Sequence, residues 1–359
     1  MKYLRILVAY LIILPLLSYG QQTFEYKQPK MISDGWETEN FQKLYSNTSY
    51  LFEVLRQLEH NDHKINSFLL IKDGKLLLEE YYNERTIETP QDLRSVTKSI
   101  ISILMGIAID KGFVTSIDDP VQQYLPNIQP TKNLNTLKEQ ITIRHLLTMS
   151  SGLDCNDWDK KSKGQEDKVY KKKDWIQYTL DLPMIEKPGV TSTYCTMGVV
   201  IAAQIISNAS NMSLDQFAKQ FLFTPLGIDN VFWKHTSKKE VIHVAKRIQM
   251  TPRDMAKIGL LLLNNGKWNN VQVVSKDWIE KSLNTHTKIS NIDYGFLWWT
   301  IPFGPKTGKV ATGNGGQYIM IFKDLNLITV FTGSAYNSQE DKLPFTIMNK
   351  AVIHTLLEK

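Results

Sequence analysis

Ser95-Val96-Thr97-Lys98 places a hydroxyl and an amine three positions apart at the mouth of an apolar run, "LRSVTKSIISILMGIAIDKG". Positions three apart on a helix share a face, so Lys98 lies one turn below Ser95, within reach of its hydroxyl proton. That is a nucleophile and a base on one rigid element. Lys98 also sits among Val96, Ile100, Ile101, Ile103 and Leu104. Burial there disfavours the ammonium and is expected to lower the lysine pKa toward that of a working base. The plainer expectation is a helix start with a solvated lysine, because Ser-x-x-Lys alone is a short, unspecific pattern.

Two further segments carry chemistry. Tyr194-Cys195-Thr196 follows Lys187-Pro188-Gly189. A tyrosine phenol there can relay a proton between nucleophile and leaving group. A core tyrosine ahead of a helix is its bland alternative. The third segment, Ala311-Thr312-Gly313-Asn314-Gly315-Gly316-Gln317, falls on a predicted strand over Ala311 to Phe322. Glycine weakens a strand interior and often marks close approach by a ligand or another backbone. An N–H at such an edge, paired with the N–H of Ser95, can hold a developing oxyanion. A bulge or bend would use the same glycines.

These residues need elements to carry them. "SFLLIKDGKLLLEEYY" reads as two strands joined by Asp73-Gly74. "ENFQKLYSNTSYLFEVLRQLEH" has helical spacing through Phe41, Leu44, Leu51, Val54 and Leu55. The Ser95 helix closes at Gly112. The middle reads as mostly helical, over 142–153, 193–210, 213–228 and 251–268, the last with Thr251 as N-cap and Pro252 at its first position. Strand patterns return in "YGFLWWTI", "KVATGNGGQYIMIF" and "LITVFTGSA", and "PFTIMNKAVIHTLLEK" closes as a helix. The expected class is α+β: an antiparallel sheet flanked by terminal helices, with a mostly helical lobe inserted. The sheet lobe would take about 35–92 and 285–359, the helical lobe about 93–284.

The bulk composition fits a globular chain of 359 residues, 42% hydrophobic and 22% charged. Lys2 and Arg5 precede the apolar Ile6–Leu17, and Ser18-Tyr19-Gly20 offers small residues where a signal peptidase reads. Residues 1–20 are therefore expected to be a secretory signal peptide, with an uncleaved anchor as the alternative. No stable membrane anchor is expected, and the chain is expected to be exported, periplasmic or secreted.

Net charge is +6, or +4 with Lys2 and Arg5 set aside. Seven lysines cluster in 159–174, interleaved with acids and with Tyr170 as the only aromatic, so a solvated loop is expected and no nucleic-acid partner. Cys155 and Cys195 could pair in an exported chain, but two cysteines make no framework. His60-Asn61-Asp62-His63 reads as a polar loop rather than a metal pair, and no metal or organic cofactor is expected. His145 reads as a structural histidine on an apolar helix. Asp154, Asn156 and Trp158 are candidates for a substrate rim, and Trp298 and Trp299 for core or pocket wall. Ser150 has no base one turn away, and no Gly-x-Ser-x-Gly elbow is present.

Taken in order, "SDGW", "LRSVTKSI", "ITIRHLLTMSSGL", "PGVTSTY", "LFTPLGI", "TPRDMAKIGLLLLNNGKW", "YGFLWW" and "GNGGQYI" resemble the serine β-lactamase and penicillin-binding-protein superfamily. The nearest branch is the class C β-lactamase-related serine hydrolases, and the resemblance spans roughly residues 33–357. It implies that Ser95 is the acylated nucleophile, Lys98 its base and Tyr194 the first residue of the Tyr-x-Asn motif. Gly313 takes the place of the glycine in Lys-Thr-Gly, with the Asn314 N–H as second oxyanion donor. The chain departs from the pattern at Thr196, where the motif has Asn, and at Ala311, where it has Lys. A literal Lys306-Thr307-Gly308 follows the turn-like "PFGP" and reads as a decoy.

The expected function is that of a serine hydrolase acting through an acyl-enzyme on an ester, an amide or a short peptide. The alternatives are a penicillin-recognising β-lactamase or D-alanyl peptidase, and a non-catalytic binding protein on the same scaffold.

Overall fold

The structure is a computed structural model that describes residues 23–234 and 247–357; the expected signal peptide lies outside the described residues. The strands are β1 (Glu37–Thr38), β2 (Ile65–Lys72), β3 (Lys75–Tyr81), β4 (Gln91–Asp92), β5 (Phe232–Lys234), β6 (Arg247–Met250), β7 (Lys267–Trp268) and β8 (Val271–Gln272), followed by β9 (Thr287–Ile289), β10 (Ile292–Tyr294), β11 (Trp299–Phe303), β12 (Lys306–Gly313), β13 (Gln317–Phe322) and β14 (Leu327–Gly333). Nine of them form one sheet in the order β1-β3-β2-β14-β13-β12-β11-β10-β9. Every pairing in it is antiparallel except β1 with β3. The fold is α+β.

The centre of the sheet is covered on both faces. This is why β13 and β14 are buried at every position and read as continuous apolar runs rather than alternations. Successive side chains point to opposite faces. Ile319 and Ile328 meet the Pro252–Leu263 helix at Gly259, where a β-carbon would lie 2.7 Å from Ile328 Cγ2. On the other face Tyr318 donates to the Asp341 carbonyl, and the Thr329 hydroxyl lies 3.3 Å from Met348 Sδ. The chain's last helical stretch, Leu343–Leu357, thus closes that side.

Several expectations meet the structure directly. Asp73 and Gly74, both with positive φ, turn β2 into β3. The Val96–Asp110 helix ends before Gly112, at φ 75°. Thr251 caps its helix by accepting from the Asp254 N–H.

Others are corrected. The stretch Ala311–Phe322 is not one strand. It is a hairpin whose last pair is Gly313 with Gln317, turning through Asn314–Gly316. The helical spacing over 39–60 breaks into Phe41–Leu44 and Ser49–His60. The middle of the chain also holds a small sheet, β4-β6-β5, whose pairs Gln91–Met250 and Asp92–Gln249 bring distant segments to the residues just before Ser95. Strands of two to four residues are too short for even the polar–apolar alternation of Arg247–Met250 to stand out as a signal, so this sheet was not expected.

Arg253 ties the N-terminal segment to this core. Its guanidinium is 3% exposed, forks onto Glu79, and reaches Asp34 at 2.9 Å and the Lys30 carbonyl at 2.8 Å. Each donor finds an acceptor, which is what allows a charge to be buried there.

Glu80, next in β3, makes no ion pair or side-chain hydrogen bond among the described residues, and Lys27 offsets its burial only in part. Burial, reinforced by Glu59 and Glu79, pushes its carboxyl up to about 7 from 4.5. Its folded pKa exceeds the unfolded value, so the stability it contributes is full below pH 4.5 and is lost as pH rises through 7. Glu80→Gln should therefore raise Tm relative to the parent at pH 8 more than at pH 5. Calorimetric melts at both pH values test this, and a pH-independent difference would refute it.

Candidate active site

Ser95 is the N-cap of the Val96–Asp110 helix, yet its side chain makes no capping bond. Its hydroxyl is therefore free to face Lys98, whose Nζ donates to Ser95 Oγ at 3.0 Å. Lys98 is 8% exposed and lies 5.0 Å from the centroid of the Tyr194 ring. The three side chains expected to act together are thus together.

The expected direction of the lysine pKa is overturned. Burial does push Lys98 down, but Tyr194, Glu166 and Asp157 outweigh it, and the net shift is upward. An ammonium ringed by an oxygen-bearing ring and two carboxylates is stabilised more than its lost hydration costs. Lys98 is a held cation, not a neutral amine waiting for a proton.

Gly313 reaches the same place from the sheet. A β-carbon on it would lie 2.4 Å from the Leu93 carbonyl oxygen and 3.2 Å from Arg94 Cβ. The glycine marks close approach of another backbone, one of the alternatives open for it, and brings the end of β12 against the residues before Ser95. Asn314 follows at the turn. Its side chain donates to Asn337 Oδ1 at 2.8 Å and accepts from the Asn337 N–H at 2.9 Å. Lys306 sits at the opposite end of β12, paired with Asp324 at 2.7 Å. Seven residues of strand put it roughly 23 Å from Gly313, so the literal Lys-Thr-Gly is remote from the site. Ala311 is fully buried and brings no charge.

Thr196 does not face an open cleft. Its N–H and its hydroxyl both donate to Asp157 Oδ2 at 2.7 Å. Asp157 also accepts from the Glu166 N–H, and its own N–H donates to the Tyr194 carbonyl at 2.8 Å. Burial pushes the Asp157 carboxyl up, against the opposing pull of Lys98 and Thr196.

A disulfide joins Cys155 to Cys195, 40 positions apart. Segment 155–158 is thereby strapped along 193–196. The strap also holds Trp158, 56% exposed, with its ring parallel to Tyr194 at 5.1 Å. Trp299 stacks beside both rings and completes an aromatic wall.

Sequence reasoning missed Asp157, Glu166 and Tyr170, which donates to Glu166. They lie in or beside the lysine-rich stretch expected to be a solvated loop. The lysines there are mostly exposed, while Glu166 turns inward. The available signal was the cysteine pair: once joined, it forces 155–158 onto the segment around Tyr194.

The remaining candidates have plain roles. The His145 ring accepts from the Thr142 N–H at 3.1 Å in a helix cap, and burial lowers its pKa. Asp154 and Asn156 hold their own loop by accepting from the N–H groups of Lys163 and Trp158. Trp298 is core and Trp299 is wall. Ser150 is buried against Thr148. His60 and His63 turn ring nitrogens to the carbonyls of Arg56 and Leu58.

The beta-lactamase family profile matches residues 59–351, and the chain belongs to that family. Among curated relatives, Beta-lactamase-like protein 2 of Dictyostelium discoideum is 24% identical over 232 residues, covering 62% of this chain and 38% of that protein. The chain thus spans well under half the length of that relative. The 6-aminohexanoate-dimer hydrolase of Paenarthrobacter ureafaciens is 23% identical over 282 residues, covering 71% of this chain and 69% of the relative. A solved class C beta-lactamase superposes with a TM-score of 0.66 at 15% identity, covering 87% of this chain and 96% of that one. At that identity the superposition establishes the beta-lactamase/transpeptidase-like fold.

Removing the strap tests its importance. Closing a 40-residue loop is worth about 4 kcal/mol on the chain-entropy account. The Cys155→Ser/Cys195→Ser variant should melt several degrees lower, and its turnover of any substrate should fall more in kcat than KM rises. Unchanged kcat at a temperature where the variant is fully folded would show that the strap does not position Tyr194.

Proposed function

We propose that the chain is a serine hydrolase that cleaves a small ester, an amide or a short peptide through an acyl-enzyme on Ser95. The observation that carries this reading is the 3.0 Å contact of Lys98 Nζ with a Ser95 hydroxyl that makes no capping bond. Family membership supports serine-hydrolase-type chemistry at the coarser level.

In this reading Tyr194, acting as its phenolate beside the Lys98 ammonium, takes the Ser95 hydroxyl proton as Oγ bonds to the carbonyl carbon and the carbonyl π pair moves onto its oxygen. Lys98, held as a cation, stabilises the developing negative charge on Oγ. The N–H groups of Ser95 and Asn314 hold the carbonyl oxygen, and loss of one such donor costs roughly a hundredfold in rate or more. Tyr194 returns the proton to the leaving alcohol or amine. Water then attacks the acyl carbon, and Ser95 recovers its proton. The exposed Trp158 beside Tyr194 offers an apolar platform at the rim.

The second reading, a penicillin-recognising β-lactamase or D-alanyl peptidase, has the shared fold in its favour. Thr196, committed to Asp157, and the buried Ala311 weigh against it. The first reading also has the chain exported, periplasmic or secreted. The Cys155–Cys195 disulfide supports this, since such bonds persist in oxidising compartments.

The parent protein should take a fluorophosphonate label and hydrolyse a short p-nitrophenyl ester, and Ser95→Ala should do neither. Equal labelling of the two proteins would remove Ser95 from its role. Stable acylation by a fluorescent penicillin at Ser95 would favour the second reading.

A further inference from the structure

The arginine immediately before the nucleophile is held in an unusual way. Arg94 has φ 50°, in the left-handed region that a bulky residue enters at a cost. This backbone is fixed from two sides: the Arg94 N–H donates to Asp92 Oδ1 at 3.0 Å, and Gly313 packs against Leu93 and Arg94. The twist carries the guanidinium over the Tyr336 ring, 4.4 Å from its centroid. Tyr336 in turn lies against Gly315, in the turn that holds Asn314. Arg94 therefore stands between Ser95 and the oxyanion-side turn, on an aromatic shelf that is itself 41% exposed.

Its charge is poorly matched. Arg94 Nε lies 3.6 Å from Asp92 Oδ2, and Arg247 Nη1 lies 3.7 Å from the same oxygen. Two guanidinium groups thus share one carboxylate. Among the described residues no hydrogen bond leaves the Arg94 guanidinium, and its buried Nε has no acceptor. The side chain as a whole remains 25% exposed. With Nε buried beside Asp92, the two Nη groups, for which no described residue supplies a hydrogen-bond acceptor, are the donors left to meet a pair of oxygens.

Among the described residues Arg247 shares Asp92 with Arg94, and the positions where the family motif would place a strand lysine offer no cation. Ala311 is buried and apolar, and Lys306 is spent on Asp324 at the far end of β12. Lys98 is engaged with Ser95.

We infer that Arg94 is the anion-reading residue of this cleft, and that the substrate is an ester or amide whose acyl part carries a carboxylate. This rests on the acyl-transfer reading of Ser95. Recognition comes from the side chain next to the nucleophile rather than from the strand lysine that is absent here. Tyr336 holds the guanidinium in place by a cation–π contact.

The test uses a matched pair: the mono-p-nitrophenyl ester of adipic acid and its neutral methyl ester. The parent should favour the anionic ester in kcat/KM by tenfold or more at low salt, and the preference should shrink as ionic strength rises. Arg94→Gln should lower the anionic-to-neutral ratio by roughly ten- to a hundredfold. Arg94→Asn, which accepts the left-handed backbone, guards against misfolding and should lower the ratio equally. Both variants are assayed only as protein whose Ser95 still takes the fluorophosphonate label. A labelled parent that shows no preference, or variants that keep the parent's ratio, would overturn the role of Arg94 and leave Ser95 standing. A parent that takes no label would overturn the nucleophile assignment, and this inference with it.

Discussion

Gly313 passes so near the Leu93 carbonyl that any β-carbon there would need the backbone to move. That contact joins the two halves of the site. The sheet supplies the turn at Asn314, and the buried Val96–Asp110 helix supplies Ser95 and Lys98. The helix is buried along almost its whole length, so its start cannot shift without disturbing the core beneath. The strand end is held by β13, whose ladder with β12 runs through to Gly313 and Gln317. Two rigid elements meeting at a missing side chain hold the nucleophile more firmly than a loop could.

Electrostatics refine what this geometry permits. A buried lysine beside a serine suggests a depressed pKa, but burial is only one influence on a charge. Asp157 and Glu166 approach from the 155–170 segment and Tyr194 from the extended stretch before the Thr196–Ser210 helix, and together they reverse the sign. In the proposed acyl transfer the basic role therefore falls to Tyr194, with Lys98 as the cation beside it. The same carboxylate that steadies Lys98 also accepts both donors of Thr196. One side chain, Asp157, thus ties up Thr196 and adds to the pull of Tyr194 and Glu166 that keeps the lysine charged.

Much of this was legible in advance. The Asp73-Gly74 hairpin, the Thr251 cap and the Ser95 helix follow from local rules of turn chemistry, capping and apolar spacing, and the structure keeps them. The β4-β6-β5 sheet was not legible, because strands of two to four residues are too short to stand out and β4 pairs with β6 across more than 150 positions. Ala311–Phe322 was misread as one strand because the apolar pattern continues across a turn made of small residues. Asp157 and Glu166 were hidden for another reason: a stretch dense in lysine is dominated by its solvated face, and nothing local says which acids turn inward.

The sequence by itself determined that Ser95 and Lys98 lie side by side, since residues three apart on a helix must share a face whatever surrounds them. It also determined the fold class, the shorter side chain at Thr196 and the missing charge at Ala311, which are matters of residue type and order. Only the tertiary structure decided the state of Lys98, the partner of Thr196, the joining of Cys155 to Cys195 and the stance of Arg94 over Tyr336. Each of these depends on groups distant in the chain. A side chain's charge and direction follow from everything packed around it, and that packing exists only once the chain has folded.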